Sequence, residues 1–100
     1  MAEEEKRVVA PRVDVTHNVE NTGLHISVNL AGAPKDTVEL EFGEEGFCVK
    51  AEADSFRYET CFMLSHRVKS QEAKARLESG LLNIQVPFEE MMRGHKINIE

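Results

Sequence analysis

The sequence predicts an all-β domain, an antiparallel, immunoglobulin-like β-sandwich of about seven or eight strands. Three observations predict it. Apolar residues alternate with polar ones in short runs, the period of a half-buried strand and not of a helix. Turn-forming clusters, "NTG", "GAPKD" and "GEEG", separate the runs. Two neighbouring runs also align as a hairpin with one shared apolar face. One hundred residues is enough for one domain with one core. No tryptophan and no suitably spaced cysteine pair mark a true immunoglobulin domain.

Residues 1–10 open with the charge run "MAEEEKR" and carry only Val8 and Val9 as apolar anchors, so they read as a short mobile arm. In "PRVDV", Val13 and Val15 alternate with Arg12 and Asp14. After the turn at Asn21 to Gly23, Leu24, Ile26, Val28 and Leu30 alternate with His25, Ser27 and Asn29. Val38, Leu40 and Phe42 then alternate with Glu39 and Glu41. Phe47, Val49, Ala51 and Ala53 form the next apolar face, and Tyr58, Thr60, Phe62 and Leu64 the one after.

If Asp54-Ser55 is a two-residue turn, Phe47 faces Phe62, Val49 faces Thr60 and Ala51 faces Tyr58. On the other side Lys50 faces Glu59 and Glu52 faces Arg57. Such cross-strand pairs contribute about 0.2–1 kcal/mol each, and a slip by one residue would turn one apolar face to water. Asp-Ser is not the favoured turn pair, so a longer loop is the alternative. The same register makes Cys48 and Cys61 neighbours on the charged face. With no secretion signal the expectation is a reducing cytoplasm and two free thiols, which should crosslink within the chain under mild oxidant.

"SQEAKARLE", residues 70–78, is rich in helix formers but too short to be a stable helix alone. The expectation is one helical turn near Ser70 to Ala73, then a strand from Lys74 to Glu78. Gly80 follows at a tight turn, where it can take a positive φ. Leu82, Ile84 and Val86 supply a buried face, and Pro87, with no N–H to donate, ends the ladder.

The net charge of −6 argues against nucleic acid. No stretch is apolar for the length of a membrane span. No phosphate-cradling glycine motif is present, which argues against an ATP-driven machine. His17, His25, His66 and His95 are scattered over separate elements, so no metal site is expected, and Cys61 and His66 have no orienting third group for catalysis. The expectation is a non-enzyme with no cofactor. Met91 and Met92 read as part of a flexible linker.

The pattern Ala75-x-x-x-Ser79-Gly80-Leu81-Leu82-x-Ile84-x-Val86-Pro87 resembles the signature of the α-crystallin domain of small heat-shock proteins. "PRVDV" is similar to that family's entry strand, "LAG" at Leu30 to Gly32 to its Leu-Pro-Gly, and "FML" at Phe62 to Leu64 to its F-x-L-P. "INIE", Ile97 to Glu100, resembles its C-terminal I-x-I motif. The family's long loop is missing between the strands that meet at Asp54-Ser55, and Thr60 and Ser65 stand where it has arginine and proline. The resemblance implies an α-crystallin-like domain over 11–88 and a C-terminal extension over 89–100. It implies an ATP-independent chaperone that holds unfolding client proteins and self-associates. In the family the tail motif adds to a groove between two edge strands. Carried over, Ile97 and Ile99 are the tail anchors, and Val38, Leu40, Ala75 and Leu77 the groove walls. Ala75, Gly80, Leu82, Ile84, Val86 and Pro87 are the structural signature. Two other readings share the sandwich: an adaptor like the CS-domain co-chaperones, and an accessory domain of an ATPase.

Overall fold

The computed structural model describes residues 6–89 and 96–100. Eight strands follow in order: β1 (Arg7–Val9), β2 (Val13–His17), β3 (Gly23–Asn29), β4 (Glu39–Phe42), β5 (Gly46–Glu52), β6 (Phe56–Met63), β7 (Lys74–Glu78) and β8 (Leu81–Pro87). Short 3-10 turns at Lys35–Thr37 and Ser70–Glu72 precede β4 and β7. The strands form two four-stranded sheets, ordered β1-β6-β5-β4 and β2-β3-β8-β7. All pairings are antiparallel except that of β1 with β6.

The alternation in the sequence becomes the two faces of each sheet. Leu24, Ile26 and Val28 of β3 and Leu82, Ile84 and Val86 of β8 are buried from one sheet. Phe47, Val49 and Ala51 of β5 and Tyr58 of β6 meet them from the other. Burying one large apolar side chain of this kind contributes about 1.5–3 kcal/mol. The Tyr58 hydroxyl reaches the rim, where it donates to the Ala31 carbonyl at 2.8 Å, so its polar tip is not stranded.

The hairpin of β7 and β8 turns through Ser79 and Gly80, with φ of 49° and 81°. Positive φ at both central residues is what a two-residue hairpin matched to strand twist requires. The Gly80 carbonyl accepts from Leu30 N–H at 2.7 Å, and a Cβ at Gly80 would stand 3.0 Å from Ala31 Cα. The turn is therefore clamped against the end of β3.

The β5–β6 register is the one the charge and apolar pairs demand: Phe47 faces Phe62, Lys50 faces Glu59 and Glu52 faces Arg57. Ala53 N–H donates to the Phe56 carbonyl across a connection of two residues, Asp54 and Ser55. The longer loop is not used. The helix-or-strand ambiguity at residues 70–78 resolves as one 3-10 turn followed by β7, because an isolated turn needs no helical face to bury.

Two expectations are corrected. Residues 7–9, read as part of a mobile arm, form β1 alongside Phe56–Tyr58 of β6. Lys6 anchors this strand, donating to a Glu52 carboxylate oxygen at 2.8 Å and to the Ala53 carbonyl at 2.9 Å. Cys48 and Cys61, expected as free thiols, are joined in a disulfide. The pairing register sets them directly opposite, so their proximity needs no further folding. Residues 1–5 of the expected arm, and Met91, Met92 and His95, lie outside the described residues.

Candidate partner-binding surface

The sheet orders leave β4 and β7 as edge strands, one in each sheet. Register decides which of their side chains face inward. Leu40 pairs with Val49 and Phe42 with Phe47, both buried core residues of β5. Ala75 pairs with Ile84 and Leu77 with Leu82, both buried core residues of β8. Side chains of paired residues share a face, so all four point to the core side. Among the described residues no further strand covers them. Val38, Leu40, Phe42, Ala73 and Leu77 remain half-buried against the core, and Ala75, the smallest wall residue, is exposed. Glu39 and Glu41 on β4, and Lys74, Arg76 and Glu78 on β7, occupy the outward face.

The backbone of these edges is also free. In β4–β5, Gly43 N–H donates to the Gly46 carbonyl at 2.8 Å, which makes this a hydrogen-bonded pair. Alternation along an antiparallel ladder then aims the peptide groups of Leu40 and Phe42 away from β5. The two-residue turn at Ser79-Gly80 sets the same parity in β7, where Ala75 and Leu77 aim theirs away from β8. Each edge thus offers apolar side chains and unpaired peptide groups at the same residues, the requirement for an added strand.

Ile97 and Ile99, expected from the resemblance to be tail anchors, are exposed. Ile97 is 81% exposed and Ile99 97% exposed, and residues 96–100 have no regular structure. Phe42 and Ala73 belong to the rim although the sequence reading did not single them out as walls. Phe42 carried the signal, since it continues the alternation of Val38 and Leu40.

No protein-family model and no curated protein sequence matches this chain. Solved structures do. Heat shock protein 16.0 from Schizosaccharomyces pombe superposes with a TM-score of 0.71 at 16% identity, covering 92% of this chain and 99% of that one. The fold is that of the small heat-shock proteins. The hspA of Xanthomonas axonopodis matches with a TM-score of 0.70 at 18% identity, over 85% of this chain and 97% of its own. A mutant of hsp14.1 from Sulfolobus solfatataricus P2 matches with a TM-score of 0.71 at 22% identity, over 96% of this chain and 86% of its own. The likeness resides in backbone architecture, since few positions are shared.

Leu82, Ile84 and Val86 are buried, Gly80 makes the turn, and Pro87 pairs with Gly23 at the end of β8. A Cβ at Gly23 would collide with the Val86 carbonyl oxygen. The histidines are less scattered than the sequence implied. The His17 and His66 rings lie 5.3 Å apart, edge to face, and both contact Phe88. His17 Nδ1 is 2.6 Å from Asn21 Oδ1. Strand β2 and the connection after β6 converge there, which separate positions in sequence did not reveal. No group of three or more metal-ligating side chains occurs among the described residues, and none of their helices is long and apolar enough to cross a membrane. The β6–β7 connection is also held by Arg67, whose guanidinium contacts Glu44 at 2.5 Å and Glu89 at 3.7 Å. The hydrogen bond to Glu44, then the charges of Glu89 and Glu44, push its pKa further up.

Proposed function

We propose that this chain is an ATP-independent holdase of the small heat-shock type, which binds unfolding proteins in the cytoplasm and slows their aggregation. The observation that carries the proposal is that Leu40 on β4 and Leu77 on β7 stay half-buried on edge strands at residues whose peptide groups face away from the sheets, with Val38 and Ala75 beside them. An unfolding protein presents extended apolar segments with free peptide groups. Such a segment fits the rim by strand addition, and each Å² of apolar surface covered contributes about 25 cal/mol. The domain that binds is residues 11–88, joined by the strand at residues 7–9. The extension, residues 89–100, carries Ile97 and Ile99 as anchors for the same rim on a second copy. Neither role requires a cofactor or a catalytic group.

The test is light scattering of a heat-labile client without nucleotide. The expected outcome is slower aggregation at a molar excess of this protein, with Leu40→Asp and Leu77→Asp weakening the effect. If several clients aggregate at unchanged rates, the holdase reading gives way to an adaptor that binds folded partners.

A further inference from the structure

The Cys48–Cys61 disulfide stands on the outward face of the β1-β6-β5-β4 sheet, away from the core. Cys48 is half-buried and Cys61 exposed. Ala53 and Phe56 form a hydrogen-bonded pair. By alternation Cys48 and Cys61 fall at a non-hydrogen-bonded pair, where side chains approach most closely. The surroundings leave the bond open on three sides. Along the strands, one neighbour is the Lys50–Glu59 rung, a 3.8 Å ion pair. The other is Gly46 opposite Met63; Gly46 has no side chain, and Met63 is 73% exposed. Beyond Cys61 no strand of the described residues follows, because β1 pairs with Phe56–Tyr58 and not with Glu59–Met63. Beyond Cys48 lies an open depression of about 280 Å³, lined by Glu39, Leu40, Glu41, Cys48 and Lys50.

We propose that Cys48–Cys61 is a thiol–disulfide exchange site, open in the folded protein to small thiols of the glutathione class. Exchange requires a thiolate to approach one sulfur in line with the S–S bond, from the side opposite its partner. For Cys61 that line runs out across the β1-side edge of β6, where among the described residues no strand is paired. For Cys48 it runs over β4, where Glu41 faces Cys48 across the ladder and opposes an anionic nucleophile. Attack therefore falls on Cys61. The thiolate sulfur bonds to Cys61 Sγ, the S–S bond breaks, and its electron pair leaves on Cys48 Sγ, which lines the depression together with Lys50, Glu39 and Glu41. A second thiolate attacks the sulfur of the bound small thiol. It releases the oxidised small-molecule disulfide and leaves Cys61 as a thiolate. Both protein thiolates then take up protons from water. Two small thiols are oxidised and one protein disulfide is reduced. Oxidised glutathione drives the reverse.

The site needs no unfolding because the hairpin register is held independently, by the Phe47–Phe62 pair on the core face and by the Lys50–Glu59 rung beside the bond. The experiment uses the full oxidised chain with reduced glutathione, both folded and in urea. Reaction is stopped with acid, and the thiols and adducts are mapped by mass spectrometry. The expected result is a folded-state rate within about 100-fold of the unfolded rate, whereas a bond that waits for global unfolding would react slower by about 10³ or more. The first adduct is expected on Cys61. A larger gap between the two rates, a first adduct on Cys48, or a chain that fails to form the bond with oxidised glutathione overturns the proposal.

Discussion

At the scale of single residues, this fold places its conformational demands where chain segments pass closest. Gly80 combines a φ of 81° with backbone contact to Ala31. A methyl group there meets both the left-handed backbone penalty and a packed neighbour. Gly80→Ala is expected to cost about 1–2 kcal/mol from the backbone alone, read as a lower urea midpoint with unchanged slope. Ser79, at φ 49°, already bears part of that cost, so Ser79→Gly is expected to stabilise. A second demand is electrostatic. The Lys6 hydrogen bond, its largest cause, holds the Glu52 carboxyl below its ordinary pKa, with the Lys6 and Arg57 charges acting in the same direction and some desolvation opposing. A depressed carboxyl binds its proton less readily when folded. The pairing is therefore fully present above the unfolded pKa, and is lost as pH falls through the folded one. Since Lys6 anchors β1, acid is expected to loosen β1 before the rest of the sandwich. Amide shifts of Val8 and Val9 in a pH titration will check this, and Lys6→Ala should abolish the acid step. Movement of core amides such as Val49 in the same step would mean that β1 does not release separately.

Strands and their pairings were legible in proportion to how much pattern they carry. The β5–β6 hairpin offers a shared apolar face and two opposite-charge pairings, Lys50 with Glu59 and Glu52 with Arg57, in one register, and no competing register satisfies them together. β7 was readable because Gly80 and Pro87 punctuate the hairpin that contains it. β1 was not, because three residues with two adjacent valines show no alternation, and its parallel partner begins 49 residues away, at Phe56. The inward-facing residues of the edge strands were half legible. Alternation identifies which residues face inward, but edge position, which leaves Leu40 and Leu77 uncovered, is a property of sheet order. The disulfide was misjudged because adjacency was inferred correctly and then overruled by an argument about compartment. At this scale the prediction concerns Phe47, stacked between Phe42 and Phe62 at centroid distances of 5.3 and 5.8 Å. Phe47 is 3% exposed, while its two neighbours are only half-buried. Phe47→Ala is expected to cost about 3–5 kcal/mol through the cavity it leaves. Phe62→Ala should cost clearly less, because solvent refills its site. Equal losses in chemical denaturation would show that the aromatic row is not layered from core to rim as described.

For the whole molecule the exposed pair Ile97 and Ile99 governs assembly in the proposed function. The two lie on one side of an extended tail, with Asn98 on the other, and both stand in solvent in the single chain. Full burial of each would contribute about 1.5–3 kcal/mol. Fixing the tail in one conformation and losing translational freedom offset much of that. A single tail on a single rim is thus a weak contact. Several such contacts in one particle reinforce one another, because each docked tail raises the local concentration of the next. The rim that would receive the tail is also the rim proposed for clients, so assembly and client binding compete for Leu40 and Leu77. Ile97→Ala combined with Ile99→Ala is therefore expected to do two things. It should shrink the particle seen by light scattering, with the β-rich circular dichroism spectrum unchanged. It should also leave more rims free, so that client protection per subunit is kept or increased. A particle of unchanged size at high concentration would show that the tail does not assemble this protein. Smaller particles that also lose protection would mean that clients need the assembly itself and not the vacated edges of β4 and β7.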